Sequence, residues 1–344
     1  MTNPGSAEGG RRAPTIRDVA RSAGVSKSLV SLVLRNDPGV SSERRRAIRA
    51  AMRELGYQPN RVAGALAGNG TGAVGILLND LRNPWYVDLL DGLSTALEPA
   101  GVAPLIVDSA TNQRVGRSSI DILLRQRVDG IIVVGTSGEE SDLAAAVTST
   151  PVVLAGTYDP SDLGADVVVN DDVAGARQAT EHLVALGHRD ICCLRGPQHV
   201  GLLREAGYRE AMEAAGLGAH IRIEPAGMTE DSGRAAARAL LDSTDRPTGI
   251  IAYNDLVAIG ALAAASDVGL AAPQDVSIVG YDDTYFSRVR RLALSSVENG
   301  TFEIGTQAAA FLLERIAGYT GGSRLHRVPS HLVVRATSGR APSA

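Results

Sequence analysis

Aromatic side chains are scarce: 3% of the 344 residues, with a single tryptophan and three phenylalanines. Cysteine occurs twice, at Cys192 and Cys193, adjacent inside an apolar run. Two neighbouring thiols build neither a disulfide framework nor a zinc knuckle, which points to a reduced, cytoplasmic setting. No apolar run approaches the roughly 18 residues that a membrane span needs. The opening MTNPGSAEGGRRAP has no apolar segment of the secretory kind and reads as a mobile tail over residues 1–14.

Catalytic signatures are missing too. There is no G-x-S-x-G elbow, no H-E-x-x-H and no G-x-x-x-x-G-K-[ST]. The histidines (His182, His188, His199, His220, His326 and His331) are scattered, and none has a cysteine at ligand spacing. The expectation is no enzyme, no metal and no cofactor. Gly70-Thr71-Gly72-Ala73-Val74-Gly75 matches G-x-G-x-x-G, but it precedes a strand instead of opening a helix, so it reads as a linker and not as a dinucleotide loop.

What the chain does have is charge, unevenly placed. The whole carries 34 basic and 38 acidic side chains, formally −4. Residues 1–70 hold 12 basic against 5 acidic ones, a net of +7, which leaves the other 274 residues at −11. A basic head on an acidic body suggests an anionic partner for the head alone. Hydrophobic residues make up 44% of the chain, enough for more than one core.

In the head, Thr15 can cap a helix with Asp18 in the capping-box position, and Ile16, Val19, Ala20 and Ala23 form one apolar face. After Gly24, Ser26 caps a second helix with Val30, Val33 and Leu34 inward. Asn36-Asp37-Pro38-Gly39 breaks the chain, and a third helix starts at Ser41 or Ser42. It turns Ile48, Ala51, Met52 and Leu55 inward and ends at Gly56. This is helix-turn-helix spacing over residues 15–57, with arginine-rich outer faces. It suits a DNA reader whose second helix enters the major groove, or else a solvated charged bundle.

TIRDVARSAGVSKSLVSLVL and VSSERRRAIRAAMRELGYQPNRVAGALA resemble the head of the lactose-repressor (LacI/GalR) family of bacterial transcription regulators. The motifs RVDGIIV and VGYDD extend the resemblance to about residue 338. It implies a homodimer that binds palindromic operator DNA and answers to a small effector. By the match, Lys27, Ser28 and Leu32 lie where the family reads bases and Ser31 where it meets phosphate. Thr15, Ser26 and Arg35 complete the expected DNA face. Residues 58–70 match the hinge helix and linker, contributing Asn60, Arg61 and the wedge Leu66.

The chain departs from the family pattern in places. Leu29 replaces a usual threonine, and Leu32 an arginine or other polar residue. An exposed leucine can touch a thymine methyl but cannot donate to guanine; the alternative is that both leucines pack inward. Gly64 replaces a polar residue and weakens an isolated helix by about 1 kcal/mol relative to alanine. Residues 60–68 are therefore expected to order only on DNA, a plain linker being the other reading.

From residue 73 onward, short apolar runs alternate with helical patterns. The runs are Val74–Leu78, Leu105–Val107, Ile131–Val134, Val152–Leu154, Val167–Val169, Ile191–Leu194, Gly249–Ala252, Val276–Val279 and Leu332–Val334. Such alternation means βαβ units and parallel sheets, and the number of runs suits two lobes. With the resemblance, the expected fold class is an all-α helix-turn-helix head with a hinge helix, then a two-lobed α/β core of periplasmic-binding-protein type. The resemblance implies two doubly wound lobes joined by three crossings: residues 71–168 plus 300–327, and 169–299 plus 328–340.

Ligands of such sheets sit beyond the carboxyl ends of the strands. That places Asp80, Trp85 and Tyr86 after the first run, Thr136 after the third, and Asn170 and Asp171 after the fifth. Asn254 follows Gly249–Ala252, and Asp282 follows Val276–Val279. Trp85 can stack on a sugar face or simply pack at a lobe edge. Arg204 matches the family arginine that contacts effector hydroxyls or carboxylates, the alternative being a surface salt bridge. Asp255 and Asp283 suit either ligand contact or capping. Residues 195–203 look shorter than in the purine-binding branch, which favours a sugar or sugar derivative. The expected function is a DNA-binding repressor switched by that effector; the alternative is a sugar-binding protein of the same fold without a transcriptional role.

Overall fold

A computed structural model describes residues 14–34, 37, 39–57, 70–135, 140–156 and 163–342. The chain divides into two units, Met1–Thr71 and Gly72–Ala344.

The first unit holds three helices, α1 (Ile16–Ser22), α2 (Lys27–Leu34) and α3 (Ser42–Leu55). Val19, Val30, Val33 and Ile48 form its small core. Ser41 caps α3 by accepting from the Arg44 amide, and Gly56 ends it at φ 64°, a conformation that only glycine adopts without cost. One expectation needs correction, and one open alternative is decided. Leu55 faces outward, 37% exposed, because it lies in the last turn beyond the contact with α1 and α2. Leu32 is half-buried against the head core, as is Leu29, so neither is a free side chain on an outer face.

The second unit is built on two six-stranded sheets. In chain order the strands are β1 (Ala73–Leu78), β2 (Ala103–Asp108), β3 (Ile131–Val134), β4 (Val152–Ala155), β5 (Asp166–Asn170) and β6 (Ile191–Arg195). They continue with β7 (Arg222–Pro225), β8 (Gly249–Ala252), β9 (Ser277–Tyr281), β10 (Ser295–Glu298), β11 (Leu325–Val328) and β12 (His331–Val333). One sheet runs β2-β1-β3-β4-β5-β11 and the other β7-β6-β8-β9-β10-β12. All pairings are parallel except β10 with β12. Both are the doubly wound order that leaves a crevice where the winding reverses.

The long helices of this unit are α4 (Trp85–Leu97), then α8 (Asp172–Ala185), α9 (Gln198–Ala214), α10 (Glu230–Leu241), α11 (Asp255–Asp267) and α12 (Thr301–Ile316). Three shorter ones, α5 (Ser109–Gln113), α6 (Ser119–Arg125) and α7 (Glu140–Ala146), lie between α4 and α8. Helices pack in pairs, α4 on α12 over the first sheet and α8 on α9 over the second. The chain therefore changes lobe three times: after Asn170, after Glu298 and after Val328. Among the described residues, no helix is long and apolar enough to cross a membrane.

Glycine permits the helix pairs to approach closely. A Cβ on Gly207 of α9 would stand 2.1 Å from the Val173 carbonyl oxygen of α8, closer than any real contact. Gly207→Ala must push two backbones apart and should cost about 1–3 kcal/mol, as overpacking does. Gly218→Ala, which meets open space, is the control. Urea unfolding midpoints should fall for the first and hold for the second.

Cys192 and Cys193 lie side by side in β6, both buried and unbonded. Burial pushes the Cys192 thiol up to about 12 and raises Cys193 further. His188 is also buried; its Nδ1 meets the Thr248 hydroxyl and its Nε2 the Gly339 carbonyl, each at 3.0 Å. It fastens the end of the chain to the second lobe.

Candidate functional site

The strand ends of both sheets face one cleft, which encloses a cavity of about 70 Å³. Trp85, Tyr86 and Asn170 line it from the first lobe, and Arg204, Asn254 and Asp282 from the second. Trp85 and Tyr86 sit in the first turn of α4, where Asn83 accepts from the Trp85 amide and aims the helix start at the cleft. Their rings meet edge to face, 5.3 Å apart. Asn254 caps α11, accepting from the Val257 amide at 2.9 Å, while its amide donates to the Met228 carbonyl at 3.2 Å.

Arg204 is the centre of the second wall. It is one of the few buried charges, so its partners decide its cost. Nε donates to Asp172 Oδ1 at 2.8 Å and Nη2 to Asp282 Oδ1 at 3.4 Å. Nη1 donates to the Tyr253 carbonyl. The guanidinium lies over the Tyr281 ring, 3.6 Å from its centroid. Burial works against its charge, but the carboxylates of Asp172 and Asp282 outweigh that and hold its pKa above the ordinary arginine value. Burial lifts the Asp282 carboxyl to about 8, with Arg204 pulling the other way.

Asp282 and Asp283 both have positive φ, 99° and 43°. Non-glycine residues hold such angles only where their surroundings over-determine them. Here the Asp282 amide donates to the Val297 carbonyl at 2.8 Å, and Asp283 Oδ1 accepts from Ser287 and Arg335, each at 2.6 Å. Asp255 accepts from Thr284 and Ser296 below them. Asp255 and Asp283 are thus scaffolding, and the strained turn aims Asp282 into the cleft.

Two expected cleft residues serve elsewhere. Asp80 turns to Arg82, whose Nε it accepts at 2.9 Å, because the pair lies on the exposed loop before α4. Asp171 caps α8, accepting from the Ala174 amide at 3.0 Å. The adjacent Asp172 reaches Arg204 in its place, and the doubled aspartate was the signal for it. Thr136 lies outside the described residues. Asn299 was not legible: it lines the cleft between β10 and α12, and no spacing rule marks a lone asparagine before glycine.

On the head, Lys27 and Ser28 are exposed in the first turn of α2, and Ser26 accepts from the Leu29 amide at 3.2 Å to cap it. Ser31 is half-buried one turn on. The Thr15 hydroxyl turns back on Asp18 at 2.7 Å. Arg35, Asn60, Arg61 and Leu66 fall outside the described residues.

A family model described as bacterial regulatory proteins, lacI family, matches residues 15–60. Another, periplasmic binding proteins and sugar binding domain of LacI family, matches residues 71–336. The chain belongs to the LacI family. It is a transcriptional regulator, as are its relatives. The LacI-family chain is 31% identical to the ribose operon repressor of Escherichia coli K12, across 88% of its own length and 93% of that protein's. It is 31% identical to the repressor PurR of Salmonella paratyphi B, across 95% and 98%. In structure it is similar to the lac repressor dimer bound to operator and the anti-inducer ONPF, with a TM-score of 0.77 at 29% identity, across 95% of this chain and all of that one.

Proposed function

We propose that this LacI-family regulator is a cytoplasmic repressor that binds palindromic operator DNA as a homodimer, and that a neutral, hydroxyl-rich effector, a sugar or sugar derivative, enters the cleft. It needs no catalysis, metal or cofactor for this. The observation that carries the reading is Arg204 held between Asp172 and Asp282 opposite Trp85. A guanidinium beside carboxylates offers charge-assisted donors and acceptors to hydroxyls, and an indole covers the apolar face of a sugar ring. One cation against two acids gives no surplus positive charge, so an anionic effector is disfavoured.

Lys27, Ser28, Ser26, Ser31 and Thr15 form the DNA face in this reading, joined by Arg35, Asn60, Arg61 and Leu66. Half-buried Leu32 contributes a methyl edge at most, and an operator differing there from the usual family consensus is expected. Asp80 and Asp171 are left out of the effector contacts, for which Trp85, Tyr86, Asn170, Arg204, Asn254 and Asp282 remain, joined by Thr136. The effector switches the regulator because it binds one arrangement of the lobes better than the other.

Trp85 is the only tryptophan, so ligand entry is readable in its emission. Titration with a panel of neutral sugars should shift that emission saturably for one class. At fixed salt, the same sugar should change a footprint on DNA selected by the protein, phosphate contacts making the affinity salt-dependent. A footprint unmoved by a sugar that saturates the emission change would sink the coupling.

A further inference from the structure

The end of β9 touches all three crossings between the lobes. At the first, Asn170 Nδ2 donates to the Tyr281 hydroxyl at 3.4 Å. At the third, the buried Ser330 hydroxyl lies beside the same phenol and interacts with it. At the second, Asn299 Nδ2 donates to Asp282 Oδ1 at 3.1 Å. Asn299 Oδ1 accepts from Thr301 at 2.6 Å, and from Trp85 Nε1 across the cleft at 3.4 Å.

The lengths fall into two groups. The contact made within the second crossing is short, whereas the two that reach from lobe to lobe lie at the limit of a hydrogen bond.

We propose that Tyr281 and Asn299 are positioning residues that carry the occupancy of Asp282 to the three crossings. The proposal rests on the cleft being an effector site. A hydroxyl on Asp282 competes with the Asn299 amide, which frees Asn299 to tighten on Trp85. It also draws on Arg204, which lies on the Tyr281 ring, and so moves the phenol that Asn170 and Ser330 share. Neither residue need touch the effector to do this.

The test uses the full chain without effector or DNA. Tyr281→Phe removes one oxygen; Asn299→Asp keeps the acceptor for Thr301 and Trp85 but loses the donor to Asp282. Loss of a typical hydrogen bond should make amide hydrogen exchange about three- to tenfold faster in the affected segment. The expected result is that each variant speeds exchange at all three crossings, including those its own side chain does not reach. Tyr281→Phe should also shift the emission of Trp85, on the other lobe, with the melting temperature within a few degrees of wild type. Exchange altered only at the crossing each residue touches, with Trp85 emission unchanged by Tyr281→Phe, would overturn the proposal and leave both residues merely structural. Failure of the wild type to bind any sugar or DNA would instead overturn the functional reading, since neither enters this test.

Discussion

Arg204→Ala should lower the stability of the second lobe by about 3–5 kcal/mol, because truncating one partner of a buried ionic group strands the others. Asp172 and Asp282 would face each other in a site where both are almost fully buried. The loss should appear as a fall in the urea midpoint and as loss of the Trp85 response to sugar. Arg204→Met with Asp172→Asn removes charge from both sides and should recover much of the stability while leaving the site unable to bind. That contrast separates the cost of an unpaired carboxylate from the loss of the guanidinium's own contacts. Equal instability in the single and double variants would show that packing of the arginine stem, and not its charge, holds the lobe.

Asp166 should give the second largest effect, in the first lobe. It is fully buried at the start of β5. Arg315 Nε and Nη2 donate to it at 2.9 and 2.8 Å, and Arg324 donates through Nη2 at 2.8 Å and its amide at 2.9 Å. It therefore ties the end of α12 and the entry to β11 to a strand about 150 residues earlier. Burial alone would raise its pKa, but the bonds from Arg315 and Arg324 outweigh that and hold it at about 2. A depressed carboxyl stabilises the fold above its unfolded value, near 4, and that stability disappears as the pH falls from there through about 2. The shift corresponds to about 2 kcal/mol. Asp166→Asn should cost about 3 kcal/mol at neutral pH, near the lower end for a broken buried pair, because both arginines keep some exposure. It should also flatten the pH dependence of the unfolding midpoint between about 4 and 2. An unchanged slope there would assign the acid sensitivity to other groups. Asp282 has the opposite sign: its raised pKa favours the fold at low pH, a contribution lost as the pH climbs from about 4 through about 8.

How far the sequence reveals this molecule depends on whether an element is buried on both faces. The central strands β1, β3, β4, β6 and β8 are runs of valine, isoleucine, leucine or cysteine, and each stands out. The three strands that were not legible lie where that rule lapses. β7 and β11 are edge strands with mostly exposed or half-buried residues, Arg-Ile-Glu-Pro and Leu-His-Arg-Val. β10 is buried yet reads Ser-Ser-Val-Glu, since Ser295 and Ser296 serve the polar network below the cleft. Single-residue roles were harder still. One residue decides whether an aspartate caps a helix, as Asp171 does, or reaches the cleft, as Asp172 does, and only the helix start separates them. Trp85 and Asp282 were legible because each lies just beyond a strand end, whereas Arg204, inside α9, was legible only through the family resemblance.

The buried thiols of β6 have a practical consequence. With both Cys192 and Cys193 out of solvent and far from forming thiolates at neutral pH, maleimide dyes should pass them by. A cysteine introduced on any exposed helix would then be the sole reactive handle. Fluorophores can be placed on each lobe of the otherwise wild-type chain, and single molecules watched opening and closing in real time.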